Sequence, residues 1–245
     1  MDKGLKSILD WWEAAGVDIP AISPPQAKPA RKAKAVAAPK PKPAAPPPLQ
    51  DAAPLAAKAK TLTALKTAID TFNAGPLSDG ARQCVFARGN PQSDIMLIGE
   101  APGRDEDMAG KPFIGPSGQF LDKMLASIGL NEDAFYMTNV INWRPSKNRN
   151  PKPEEIELCR PFICRHIELA APKIIVLVGG VSLSAMTGQT GIMKLRGQWQ
   201  EIKINGVTWP ALPLYHPAFL LRQPALKKDA WRDLLSLRER LETVS

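Results

Sequence analysis

Read for the spacing of its apolar side chains, the chain changes character near residue 61. From there on, short apolar runs of strand length alternate with stretches whose apolar residues recur every three or four positions, the period of a helix with one buried face. Thr63–Phe72 reads as a helix, and Ile95–Ile98 as a buried strand stopped by Gly99. Phe120, Leu121, Met124, Leu125 and Ile128 share one face of a helix over Ser117–Ile128, which Gly129 closes. FYMTNVI is a second strand. Pro153 opens a helix with Glu154, Glu155 and Glu157 in its first turns, as the dipole favours, and Pro161 is expected to kink it before it ends near Leu169. KIIVLVGG is a third strand and GVSLSAM begins another helix. A polar segment, Lys203–Val207, leads to a fourth strand running into LPLYHPAFL, and Asp229–Leu241 is a closing helix. This alternation predicts an α/β fold, a three-layer open sheet of about four strands, mostly parallel, with helices on both faces.

Ahead of residue 61 the pattern is different. Residues 24–48 consist of nine Pro, eight Ala, six Lys/Arg, one Gln and one Val, which cannot bury a core. Residues 24–60 are therefore read as a disordered, extended Pro/Ala/Lys-rich linker. Residues 1–23 read as a short amphipathic helix, with Leu5, Ile8, Leu9 and Trp12 on one face. So short a helix is marginal alone and must dock, either on its own domain or on a protein partner.

Charge sharpens the division. The formal net charge is +8, but between Pro24 and Lys60 eight Lys/Arg face the single acid Asp51. The basicity lies mostly in the tether, so it says little about what the folded part binds. Three cysteines, Cys84, Cys159 and Cys164, contain no CxxC pair, which fits a reducing compartment, and Cys159 and Cys164, five apart on a predicted helix, read as core thiols. No apolar run has the roughly 20 residues of a membrane span, and the N-terminus lacks a signal-peptide layout. A cytoplasmic, monomeric protein with no membrane association is expected.

The densest candidate chemistry is DIMLIGEAPGRDEDMAGKPFIGPSG, residues 94–118. Gly99, Gly103, Gly110, Gly115 and Gly118 let backbone approach a ligand closely, and Glu100, Asp105, Glu106 and Asp107 offer acid/base or hydrogen-bonding groups. In open α/β sheets ligands bind beyond the carboxyl ends of the strands. Glu100, Asn139, the Gly179-Gly180 pair and His216 each follow or end a predicted strand. His166, the second histidine, reads as a packing residue inside a helix. A single free histidine argues against zinc. No serine or cysteine sits in a nucleophile elbow, and neither a dinucleotide fingerprint nor a P-loop occurs. What remains is a pocket for a flat polar group: Phe113 to stack, Asn139 to read an edge, His216 to stabilise charge.

GEAPGRDED, GKPFIGPSGQFL, TNVINWRP-x3-NR-x-P and HPAFLLR, in this order and spacing, resemble the uracil-DNA glycosylase superfamily, family 4 type, over roughly residues 61–243. The resemblance implies an enzyme of DNA base-excision repair that flips uracil from DNA and hydrolyses its N-glycosidic bond, with residues 61–245 as the catalytic domain. It implies that Phe113 stacks on uracil, Asn139 reads its Watson–Crick edge, and Gly99, Ala101 and Pro112 complete the pocket. It further implies that His216 donates toward the uracil O2, and that Glu100 and Glu106 position water or stabilise the cationic sugar. Leu220 or Leu221 would fill the gap in the duplex, with Arg222 on phosphate and Arg144, Lys147 and Arg149 on the strand backbone.

Three departures stand out. The family 4 pattern places an iron–sulfur cluster on four cysteines, whose positions here fall on Phe72, Gly75, Trp143 and Cys159, so no cluster and no other metal or cofactor is expected. Ala101 occupies the position where the best-known glycosylase family has a water-activating Asp, which puts more weight on leaving-group stabilisation and Glu100. No inserted loop with a histidine follows the Asn motif, so ordinary turnover is expected. Competing readings are a non-catalytic damage-sensing module on the same fold, and a glycosylase acting on hypoxanthine or xanthine.

Overall fold

The computed structural model describes residues 51–244. The helix expected within residues 1–23 and the tether over 24–50 lie outside the described residues. The sheet has six strands: β1 (Arg88–Gly89), β2 (Ile95–Gly99), β3 (Tyr136–Asn139), β4 (Ile174–Val178), β5 (Gln200–Ile204) and β6 (Val207–Leu214), in the order β1-β3-β2-β4-β6-β5. The four expected strands are the parallel centre, β3, β2, β4 and β6. β2, β3 and β4 are buried throughout because covered parallel strands have no wet face.

The two edges add antiparallel strands. β1 is too short to leave a period in the sequence. Lys203–Val207, expected as a polar connector, is the tip of the β5–β6 hairpin. Asn205 (φ 48°) and Gly206 (φ 84°) take the two successive left-handed conformations that a two-residue hairpin turn requires.

The helices are α1 (Ala52–Lys58), α2 (Leu62–Asp70), α3 (Pro76–Asp79), α4 (Arg104–Ala109), α5 (Pro116–Ala126), α6 (Pro153–Ala170), α7 (Gly180–Thr187), α8 (Ile192–Leu195), α9 (Pro217–Arg222) and α10 (Lys227–Val244). Alternation along the strands divides the core in two. Met96, Ile98, Ile175 and Leu177 face one layer, which holds α1, α2, α6 and α7. Ile95, Leu97, Val176 and Val178 face the other, with Leu121 and Leu125 of α5, Leu220 of α9, and Leu234 and Leu237 of α10.

α1 corrects the expected linker boundary. Asp51 caps it by accepting the Ala53 N–H at 3.0 Å. Ala52, Ala56 and Ala59 are buried where α1 lies on α6, and Arg165 Nε donates to the Ala59 carbonyl at 2.9 Å. The alanines that made this stretch look like tether are also the strongest helix formers, and small enough for close packing.

Candidate active site

The parallel register brings the carboxyl ends of the central strands level, and Gly99 of β2 lies beside Asn139 of β3. The ladder continues one step further: Val140 N–H donates to the Gly99 carbonyl and Ile141 N–H to the Glu100 carbonyl, both at 3.0 Å. This fixes both strand ends as they enter a cleft of about 950 Å³ lined by Glu100, Phe113, Asn139, Arg144 and His216. A smaller cavity of about 500 Å³, lined by Ala53, Arg160 and Lys203, lies away from the strand ends.

Gly99 is the floor of the cleft. A Cβ there would overlap both Asn139 Oδ1 and Phe113 Cζ, so the amide and the aromatic ring converge over bare backbone. Asn139 is buried, yet its side-chain amide has no protein partner among the described residues. The amide atoms left without a protein partner are those that open onto the cleft, where a ligand can complete them. Glu100 likewise makes no side-chain hydrogen bond among them, and burial raises its carboxyl above the ordinary 4.5.

Phe113 is held in an unusual conformation, φ 55°, in the left-handed region that residues other than glycine rarely adopt. The turn around it is closed by Glu106. Its Oε1 accepts the Ile114 and Gly115 N–H groups at 3.1 and 2.9 Å, and its Oε2 accepts the Gly103 N–H at 3.1 Å. The Gly103 bond is one half of a capping box at the start of α4, glycine having no side chain to supply the other. Expected among the catalytic groups, Glu106 lines the cleft and at the same time clamps the Gly103 turn to the Phe113 loop. Asp107 is also structural: it is buried, accepts the Arg82 N–H at 2.8 Å and lies 3.8 Å from Arg144 Nη1.

His216 caps α9, with its Nδ1 accepting the Ala218 N–H at 3.2 Å. That bond leaves Nε2 as the protonated nitrogen of the neutral imidazole. Burial, reinforced by the charge of Arg222 and opposed by Glu106, lowers its pKa below the ordinary 6.5. The neutral ring with Nε2–H as donor is therefore the species at neutral pH. Gly179 (φ +100°) backs the ring closely, since a Cβ would stand 3.1 Å from that of His216.

The rim sorts the expected DNA contacts. Leu220 is fully buried in the core, whereas Leu221 is 44% exposed on α9, so Leu221 is the free apolar side chain and Leu220 is not. Arg149 forms a two-point pair with Glu155 (2.7 and 2.5 Å), while Glu155 also accepts the Lys152 N–H at the start of α6. Arg149 thus lines the cleft with its guanidinium already paired to the cap of α6. Arg144 lines the cleft and donates to Asn148 Oδ1 at 2.6 Å. Lys147 and Arg222 are exposed and make no ion pair among the described residues. His166 is buried as expected, 3.0 Å from the Tyr136 hydroxyl and stacked on Phe86.

The expected cluster positions carry no second thiol. Phe72 packs with Trp143 at 6.1 Å and edge-on to Phe162 at 5.0 Å between ring centroids. Phe72, Trp143 and Phe162 are all buried, and burial pushes the Cys159 thiol up to about 12. Aromatic rings and one protonated thiol do not fit a four-thiolate cluster. Among the described residues no group of three or more His, Cys, Asp or Glu could hold a metal ion, and no helix is long and apolar enough to cross a membrane.

An aromatic face, an unpaired amide and a neutral imidazole donor at the switch end of a parallel sheet define a pocket for a flat ring bearing oxo groups. Residues 86–235 match the model of the uracil DNA glycosylase superfamily. The chain is 38% identical over 156 residues to a type-4 uracil-DNA glycosylase of Archaeoglobus fulgidus, spanning 62% of this chain and 78% of the relative. The corresponding figures for a type-4 uracil-DNA glycosylase of Sulfurisphaera tokodaii are 39% over 161 residues, 63% and 73%. For one of Thermotoga maritima they are 35% over 153 residues, 60% and 76%. The chain belongs to the uracil-DNA glycosylase superfamily.

Proposed function

We propose that this protein is a monofunctional N-glycosyl hydrolase of DNA repair that takes uracil out of the DNA stack and leaves an abasic site. The observation that carries this reading is the convergence of the Phe113 ring and the unpaired Asn139 amide over Gly99. In the reaction the N1–C1′ bond breaks, its electrons leave with the base, and the oxygen of water bonds to C1′. Phe113 stacks on the extruded base. Asn139 accepts from N3–H and donates to O4, and the amino group of cytosine would leave these atoms mispaired. His216 donates its Nε2–H to O2 as negative charge develops there, and as a neutral donor it needs no proton exchange with solvent. Glu100, ionised above its raised pKa, orients water and stabilises positive charge on the sugar. Leu221 fills the gap in the stack, while Arg144, Lys147 and Arg222 meet phosphates.

We infer that the reaction runs without an iron–sulfur cluster, because the four positions implied for it offer one buried thiol and an aromatic contact. Anaerobically purified protein should carry no stoichiometric iron and no broad visible band. The activity is tested with oligonucleotides carrying a single U, T, hypoxanthine or xanthine, each treated with alkali after incubation. Strand breaks at U support the reading, and the absence of breaks on all four supports a non-catalytic damage sensor.

A further inference from the structure

Arg88 has no place in the chemistry above, yet it is an arginine on the short edge strand β1 with its side chain only 7% exposed. Its Nε donates to the Pro112 carbonyl at 2.9 Å and its Nη2 to the Phe113 carbonyl at 3.2 Å. Nη2 also pairs with Asp122 of α5, Nη1 reaches Glu132 at 3.3 Å, and the guanidinium lies 5.6 Å from the centre of the Phe135 ring. No backbone N–H among the described residues donates to either carbonyl. Gly118 also presses on the same turn, where a Cβ would overlap the Phe113 carbonyl. The turn that holds Phe113 in its left-handed conformation is therefore held by a buried charged fork and packed against a bare glycine.

We propose that Arg88 is a positioning residue of the base pocket: through the Pro112 and Phe113 carbonyls it sets the height of the Phe113 ring above Gly99, and with it affinity for uracil and rejection of a 5-methyl pyrimidine. The proposal rests on Phe113 being the stacking group. A planar guanidinium is required because it reaches two adjacent carbonyls and a carboxylate at once, and an ammonium has no such fork. Without it the strained turn relaxes, the ring leaves the floor, and the pocket widens enough to admit a 5-methyl group.

The test uses the full chain, well below each variant's thermal midpoint, with three readouts: single-turnover excision of U, inhibition by free uracil, and the U:T rate ratio. Arg88→Met should lose about tenfold or more in excision, a loss of transition-state stabilisation, weaken uracil inhibition by a similar factor, and lower the U:T ratio. Arg88→Lys should recover part of each. Asp122→Asn, which keeps the carbonyl contacts, serves if Arg88→Met does not fold, and should shift all three readouts in the same direction by less. Because Arg88 acts through the ring, Phe113→Ala combined with Arg88→Met should be no worse than Phe113→Ala alone. Additive losses, or an Arg88→Met protein with a lowered thermal midpoint but unchanged uracil inhibition and U:T ratio, would overturn the proposal. If Phe113→Ala alone leaves uracil inhibition intact, the stacking assignment itself is wrong.

Discussion

Replacing Gly99 by alanine adds one methyl group at the point where the Phe113 ring and the Asn139 amide meet. The backbone tolerates it, since Gly99 is not among the glycines with positive φ, so the effect is steric. The methyl overlaps Asn139 Oδ1 and Phe113 Cζ, and neither neighbour is free to yield. Phe113 is clamped at its carbonyl by Arg88 and pressed by Gly118, while Asn139 is 3% exposed at the end of a paired strand. Overpacking of this kind costs about 1–3 kcal/mol. In a domain of this size each kcal/mol lowers the thermal midpoint by about 2–4 °C. The larger effect is on function. A displaced amide leaves one uracil hydrogen bond unmade, about 1–3 kcal/mol, which corresponds to roughly 5- to 160-fold in kcat/KM. The assay is excision from an oligonucleotide with one uracil, measured beside the thermal midpoint. A Gly99→Ala protein with wild-type kcat/KM would show that the base does not lie on this floor.

Other substitutions separate the chemistry from its scaffold. His216→Ala should lower kcat by about 10²–10³-fold, the usual loss for a preorganised oxyanion donor, while the lost cap of α9, about 1 kcal/mol, lowers the thermal midpoint by a few degrees. Glu106→Ala should lower the thermal midpoint more and kcat less than His216→Ala does, because its carboxylate holds three backbone N–H groups of the turns around Phe113; a kcat loss larger than that of His216→Ala breaks the assignment. Leu221→Ala should weaken excision from duplex with unchanged stability, whereas Leu220→Ala should destabilise by about 2–5 kcal/mol as a buried leucine does; equal stability losses would misplace the wedge. The excision rate should fall on acidification with a pKa above the ordinary 4.5 of Glu100, and Glu100→Gln should remove that limb. The imidazole, lowered below 6.5, stays neutral from that pH upward, so a rate that rises as pH falls toward 6 would mean that imidazolium is the donor. Stability follows the same sign: the folded state disfavours His216 protonation, so its contribution is full above 6.5 and is lost as pH falls through the lowered value.

The strand ends were legible because burial on both faces leaves uninterrupted apolar runs, and the polar residue that stops each run must face the cleft. Glu100, Asn139 and His216 were found in that way. What the sequence does not carry is the partner of each charge. Glu106 and Arg149 belong to the same residue types as the other site groups, and only the structure shows that the one holds three backbone N–H groups and that the other is paired with Glu155. Adjacent Leu220 and Leu221 differ by one step of helix phase, too fine to resolve across a six-residue helix. Arg88 sits in no motif, and its fourfold engagement depends on residues 24 to 44 positions away.

The Phe72–Trp143–Phe162 packing has a consequence for how the DNA-facing loop behaves. Trp143 directly precedes Arg144, and Asn142 Nδ2 on its other side donates to the Val85 carbonyl at 3.1 Å. The start of the loop carrying Arg144 and Lys147 is thus moored by contact of Trp143 with Phe72, just past α2, which packs on Phe162 of α6, while the Arg149–Glu155 pair ties its far end to α6. Ring contacts loosen with heat and with cosolvents that solvate apolar surface, not with oxidant or chelator. The grip on the damaged strand should therefore be set by temperature and be indifferent to the redox state of the surroundings.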